Sequence, residues 1–215
     1  MKSVFFDWDG TLVDSLPLLF AAHNHVRRYM GHAPWSREEY MQAIVYSSRE
    51  LYPRLYGDRS EEARAVLADY IHAHHLQALK VMDGAEDLLE TLLARNVPMG
   101  VVSNKTHEFL QREIAHLGWE KYFPVRNGAG IAPKDKPSGA PLLHALAMHP
   151  AKPLLEGVIY VGDMESDLGC GLEAGCPVAF IRTDPRSDAL IEQYKPAYVV
   201  TDMAGLKTAL MEFLG

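Results

Sequence analysis

Asp7 and Asp9 stand one residue apart in the stretch FFDWDGT, directly after the apolar run Val4–Phe6. Two carboxylates this close can divide a reaction between them. An ionised aspartate can attack phosphorus and form an aspartyl-phosphate, splitting one hard displacement into two. A second carboxyl can protonate the leaving oxygen and then deprotonate the water that hydrolyses the intermediate. Other apolar runs end on groups suited to the same task. VPMGVV leads into Ser103 and Asn104, and VIYV into Gly162, Asp163 and, four residues on, Asp167. Lys134 and Lys136 lie in the loop before the helix that precedes VIYV.

Singly, each of these residues has a plainer meaning. Aspartates after strands are common turn residues and helix caps, Ser103 can cap a helix, and loop lysines are usually solvated. Together they deliver carboxylates, a hydroxyl and a cation to one edge of an open α/β sheet, where ligands bind. Several carboxylates converging without a counterion would repel one another. A hard divalent cation such as Mg²⁺ removes that objection, because it takes oxygen ligands and shares them with water and substrate phosphate. Phosphoryl transfer otherwise needs positioning and charge neutralisation, which a lysine and hydroxyl or backbone donors supply.

The elements that must position these groups follow from the periodicity. Short apolar runs recur at Val4–Phe6, Val97–Val102, around Val125, and at Val158–Val161, Val178–Ile181 and Tyr198–Val200. Runs apolar throughout suit strands buried on both faces. Helical patterns separate them. Asp83 with Glu86 resembles a capping box opening DLLETLLAR, Thr106 can cap the next helix, Gly175 closes another, and Asp202 opens the last. Strand alternating with helix implies an α/β fold with a doubly wound, Rossmann-like parallel sheet. Between about Ser15 and Val81 no strand run occurs. Leu16–Met30 reads as a helix ending at Gly31, Ser36 with Glu39 as a capping box, and Ser60 as the start of a long helix. The expectation is an α/β core of residues 1–14 and 82–215 carrying an inserted helical cap of residues 15–81.

The bulk properties restrict the function further. A chain of 215 residues holds one core plus a small insertion, and a formal net charge of −7 argues against a general nucleic-acid binder. The two cysteines, Cys170 and Cys176, form neither a disulfide framework nor a metal motif, and read as buried small residues in a reducing compartment. No apolar run is long enough to span a bilayer. A cytoplasmic protein is expected, a monomer or homodimer, with a small phosphorylated metabolite as its partner and neither nucleic acid nor membrane.

The same segments carry a resemblance. FFDWDGTLVDS resembles the DxDGT motif of the haloacid dehalogenase superfamily. VVSN is similar to its second motif, KPSGAPLL to its third, commonly KPxP, and VGDMESDLGCGLEAGC to its fourth, GDxxxD. They come in the family's order, from Val4 to about Ile181. The helical insertion resembles the α-helical cap of subfamily I, and SNK with KPSGAPLL is similar to the phosphoglycolate phosphatase-like branch. The resemblance implies Asp7 as nucleophile and Mg²⁺ ligand, and Asp9 as general acid/base with its main-chain carbonyl on the metal. It implies that Ser103 hydrogen-bonds the phosphoryl group, helped by the Asn104 backbone. Asp7, Gly10, Thr11 and Lys136 complete the implied phosphate site. Lys136 neutralises the phosphoryl group, with Lys134 as its rival. Asp163 and Asp167 complete the implied metal set, Asp167 in a second shell or through water. Gly139 replaces the motif's second proline, which would loosen the loop. Dehalogenases of the superfamily lack an acid at the position of Asp9, so its presence implies phosphate chemistry.

Two further readings stay open beside a Mg²⁺-dependent phosphatase. One is a phosphomutase of the β-phosphoglucomutase type, the other a non-catalytic metabolite-binding protein. Other residues have weaker claims. His72, His74 and His75 read as a solvated helix face. His23 and His25 fall on different faces of the first inserted helix, so one of them can line a pocket. Arg49 and Arg54 read as surface charge. Trp8 packs either beside the site or simply in the core. Asp14 and Ser15 start the cap helix, by N-capping or at a hinge.

Overall fold

The apolar runs become strands and the periodic segments helices in a computed structural model, which describes residues 1–183 and 187–215. The strands are β1 (Ser3–Phe6), β2 (Met99–Thr106), β3 (Val125–Ala129), β4 (Val158–Gly162), β5 (Val178–Ile181) and β6 (Tyr198–Val200). They form one six-stranded sheet in the order β3-β2-β1-β4-β5-β6. Every pairing is parallel, with Val4 opposite both Met99 and Ile159. The order reverses direction beside β1, the topological switch point at which such sheets bind ligands.

Helices cover both faces. The helices α5 (Ala85–Ala94), α6 (His107–His116), α7 (Ala140–Met148), α8 (Glu165–Ala174), α9 (Ser187–Tyr194) and α10 (Met203–Leu214) follow the strands in turn. Successive side chains of a strand point to opposite faces. Val4 and Phe6 accordingly pack with Leu88, Leu92, Val101 and Leu210, whereas Phe5 packs with Val102, Leu142 and Tyr160. Cys170 and Cys176 are free buried thiols, and burial pushes the Cys176 thiol up to about 11.

The insertion comprises α1 (Leu16–Tyr29), α2 (Arg37–Ala43), α3 (Ser48–Tyr56) and α4 (Ser60–Ala78). Ala22, Val26, Leu51, Tyr52, Leu67 and Ile71 give it an apolar cluster of its own, joined by Phe109 of α6. The Ser36–Glu39 capping box forms as the sequence predicts. At its root the two connecting strands run side by side: Val13 bridges Val81 antiparallel, and Asp14 N donates to the Lys80 carbonyl at 2.7 Å. Among the described residues no helix is long and apolar enough to cross a membrane.

Three local expectations are corrected. The Asp83–Glu86 capping box does not form, because Gly84 at φ 84° takes the N-cap position of α5 in a left-handed turn. Thr106 is the N-cap of α6, but its side chain makes no cap bond. β2 begins at Met99 rather than Val97 and runs on to Thr106, with a register shift against β3 between Val102 and Thr106. Ser103, Asn104 and Lys105 therefore lie on the sheet's extended edge, not in a free loop.

A glycine is required where β2 runs beside β1, with Gly100 opposite Phe5. A Cβ on Gly100 would come within 2.4 Å of the Phe5 ring, itself fully buried. Overpacking of this kind costs about 1–3 kcal/mol. Gly100→Ala should lower the unfolding free energy by about that amount, read from urea denaturation at an unchanged m-value.

Candidate active site

Asp7 is the first residue beyond β1, held by its N–H on the Val161 carbonyl at 2.8 Å. Gly10 then turns the chain at φ 86°, and a Cβ there would strike the Asp163 carboxylate at 2.4 Å. Gly162 ends β4 under a similar constraint, since its Cβ would lie 2.3 Å from the Asp167 carboxyl carbon. These two glycines let three carboxylates crowd together. Asp7, Asp163 and Asp167 are all buried, and each offers an oxygen within 4.8 Å of the others.

Lys136 reaches into this cluster. Its Nζ lies 2.7 Å from Asp7, 2.6 Å from Asp167 and 3.1 Å from the Tyr160 hydroxyl, and the residue is 1% exposed. Burial alone would strip its proton, but Asp167 and Asp7 outweigh it and hold Lys136 as an ammonium. One cation does not satisfy three acids. Burial, then Asp167, raise the Asp7 carboxyl to about 7 against the pull of Lys136. Burial and the same neighbours hold Asp163 well above the usual carboxylate range. Three carboxyls share one ammonium in an all-oxygen setting, and a hard divalent cation such as Mg²⁺ would let the two raised acids ionise.

The residues singled out from the sequence separate into two layers. Asp7, Asp9, Gly10, Ser103, Asn104, Lys136 and Asp163 line one cavity of about 220 Å³. Thr11 and Asp167 stand behind its wall. Thr11 Oγ1 donates to Asp163 at 2.9 Å, so its hydroxyl orients a carboxylate and does not face the space a phosphate would fill. Asp167 takes two main-chain donors, Asp163 N at 3.1 Å and Met164 N at 2.9 Å, on one oxygen and Lys136 on the other. That leaves Asp7 and Asp163 as the acids with the freer oxygens. The Asp9 carboxylate lies outside the acidic cluster.

Asn104 fastens the sheet edge to the lysine loop: its Nδ2 donates to the Lys136 carbonyl and its Oδ1 accepts from Lys136 N, both at 2.9 Å. Lys134 is exposed and outside the cavity. Gly139 does not loosen this loop. A Cβ there would meet the Ala174 main-chain nitrogen at 2.5 Å, so glycine is what lets the segment pack against α8.

The cavity roof comes from the insertion and α6, with Leu19, Tyr40, Ile44, Ile71 and Phe109 among its walls. His23 lines it, whereas His25 is exposed. Arg49 and Arg54 do not: Arg49 pairs with Asp135 at 3.5 Å and Arg54 stacks on Tyr46 at 4.3 Å. Asp135, beside Lys136, also accepts from the Ser47 hydroxyl, and its N–H donates to Glu50 at 3.0 Å. The insertion thus grips the loop that carries the lysine.

A second buried set was missed from the sequence. Trp8 is core, packed edge-on to Trp119 at 5.8 Å, yet its Nε1 donates to Glu113 at 2.7 Å. Glu113 also meets His75 Nδ1 at 3.0 Å and Lys105 Nζ at 2.9 Å, and Lys105 reaches Asp9 at 2.5 Å. His75 is therefore not part of a solvated face, although His72 and His74 are exposed. Ser15, the N-cap residue of α1, makes no cap bond; its hydroxyl donates to Asp9. The signal was present in the spacing: Leu67, Ile71 and His75 recur every four residues, and Glu113 sits between Leu110 and Ile114 on an apolar stripe.

This fold and site define the class. The haloacid dehalogenase-like hydrolase family model matches residues 4–181, and the chain belongs to that family. It is 26% identical over 206 residues to pyrophosphatase PpaX of Halalkalibacterium halodurans, covering 96% of this chain and 95% of that one. Phosphoglycolate phosphatase 1 of Pseudomonas aeruginosa is 30% identical over 214 residues, with coverage of 95% and 78%. A haloacid dehalogenase-like hydrolase from Streptococcus pneumoniae shares the fold at a TM-score of 0.82 and 20% identity, covering 100% of this chain and 99% of that one.

His23 gives the roof a pH dependence. It is flanked by Tyr40 and by the Tyr52 hydroxyl at 3.0 Å, and burial lowers its pKa to about 4. Below its ordinary value near 6.5 the unfolded chain takes up a proton that the folded one refuses. Stability should therefore fall as pH drops from 6.5 towards 4. In thermal unfolding between pH 7 and pH 5, His23→Leu should show a smaller drop in Tm than the wild type.

Proposed function

We propose that this protein is a Mg²⁺-dependent phosphatase of a small phosphorylated metabolite, acting through an aspartyl-phosphate on Asp7. The observation that carries the reading is the buried cluster of Asp7, Asp163 and Asp167 around a single lysine, at the floor of a cavity. Asp7 and Asp163 would hold the ion, with the Asp9 main-chain carbonyl. When bound, the ion neutralises phosphoryl charge and keeps Asp7 ionised.

The chain's own residues divide the rest. Asp7 attacks phosphorus. Lys136 and the Ser103 hydroxyl steady the transferring oxygens, and the Asn104 bracket fixes both relative to Asp7. Asp9 gives its proton to the leaving oxygen, then takes one from the water that cleaves the acyl phosphate. The helices α1 to α4 act as a cap whose apolar roof limits water around the intermediate. A cavity of about 220 Å³ suits a small metabolite. Relatives named pyrophosphatase and phosphoglycolate phosphatase support phosphate chemistry on small substrates, and phosphoglycolate or a sugar phosphate is the first to try.

Phosphate release from a panel of phosphomonoesters should require Mg²⁺ and cease on chelation. Asp7→Asn should leave no turnover, and retained activity would remove the nucleophile assignment. Asp9→Asn should lose about 10²–10⁴-fold, the usual scale of general acid–base catalysis. Rearrangement of a sugar phosphate that needs a bisphosphate activator, with little phosphate freed, would replace the phosphatase reading with a mutase. Mg²⁺ should also raise Tm in wild type and less in Asp163→Asn, because a ligand that binds only the folded state stabilises it.

A further inference from the structure

We propose that Lys105, aimed by Glu113, is the positioning residue that holds the Asp9 carboxyl in line with the leaving oxygen. Asp9 is the more exposed of the two motif aspartates, its side chain 17% exposed, and it takes no part in the acidic cluster. Something must fix its rotamer. Lys105 Nζ and Ser15 Oγ both bond the same oxygen, Oδ1. That leaves Oδ2 to carry the proton towards the cavity.

Lys105 is itself fixed. Its side chain is 3% exposed, and its ammonium spans Asp9 at 2.5 Å and Glu113 at 2.9 Å. Glu113, 1% exposed, is held by Trp8 on Oε2 and by His75 on Oε1. A buried ion pair contributes little to stability, because desolvation offsets the attraction. An apolar pair would serve packing equally well. What the pair adds is direction, since Lys105 lines the cavity and its second partner is the acid/base.

The inference rests on the phosphatase reading, and leaving-group dependence separates the two. An aryl ester such as p-nitrophenyl phosphate departs with little need of a proton, whereas an alkyl phosphate needs one. In Lys105→Met, kcat/KM for the best alkyl ester should fall about tenfold or more beyond its fall for p-nitrophenyl phosphate, a share of the usual general-acid contribution. Lys105→Arg should recover part of that difference. If Lys105→Met does not fold, Lys105→Met/Glu113→Gln is measured instead, since the amide keeps an acceptor for Trp8. Equal losses on both esters, or no loss on either, would overturn the positioning role. A wild type that hydrolyses no ester would overturn the phosphatase reading and this inference with it.

Discussion

Three buried carboxylates around one ammonium are the constraint to which the rest of this structure answers. Such a cluster is unfavourable in an apolar interior, and burial drives both Asp7 and Asp163 to hold protons. Only a scaffold that brings chain ends together from separate strands can assemble it. The parallel sheet does so because β1 lies between β2 and β4, so Asp7, Ser103 and Asp163 emerge at one edge. Glycine at positions 10 and 162 then removes the side chains that would hold the carboxylates apart.

The two motif aspartates are served by different lysines. Lys136 binds Asp7 and is backed by Asp167; Lys105 binds Asp9 and is backed by Glu113. Each lysine sits between a carboxylate that faces the cavity and one that does not. Asp7 and Asp9 are near neighbours in sequence, yet their electrostatic surroundings are built from separate elements and can be adjusted independently. Trp8, between them, points the other way and ties the second lysine's partner to the core.

Much of this was legible in the sequence because it is local. Strand runs, the helical insertion and the residues just past each strand follow from periodicity and from the rule that open sheets bind at their carboxyl edge. The roles of Thr11 and Asp167 were less legible. Both lie in the right motifs, but whether a side chain faces the cavity or backs another residue depends on rotamer and neighbour. Glu113 and His75 were hidden for the opposite reason. Each carries chemistry yet belongs to no motif, and its partner comes from a distant element. The capping box at Asp83 failed because Gly84 offered the chain a left-handed turn that a helix start can use equally well.

The paired strands at the root of the insertion have a broader consequence. Because Val13 and Val81 are adjacent in space, the chain leaves the core and returns to it through almost the same point. The helices between them form an excursion whose closure costs little more entropy when long than when short, held to the core by the Asp135 contacts, by His75 on Glu113 and by Phe109. Such a root is a natural graft point. A change of roof must therefore keep Ser15, Ser47, Glu50 and His75, the insertion residues that hold the floor.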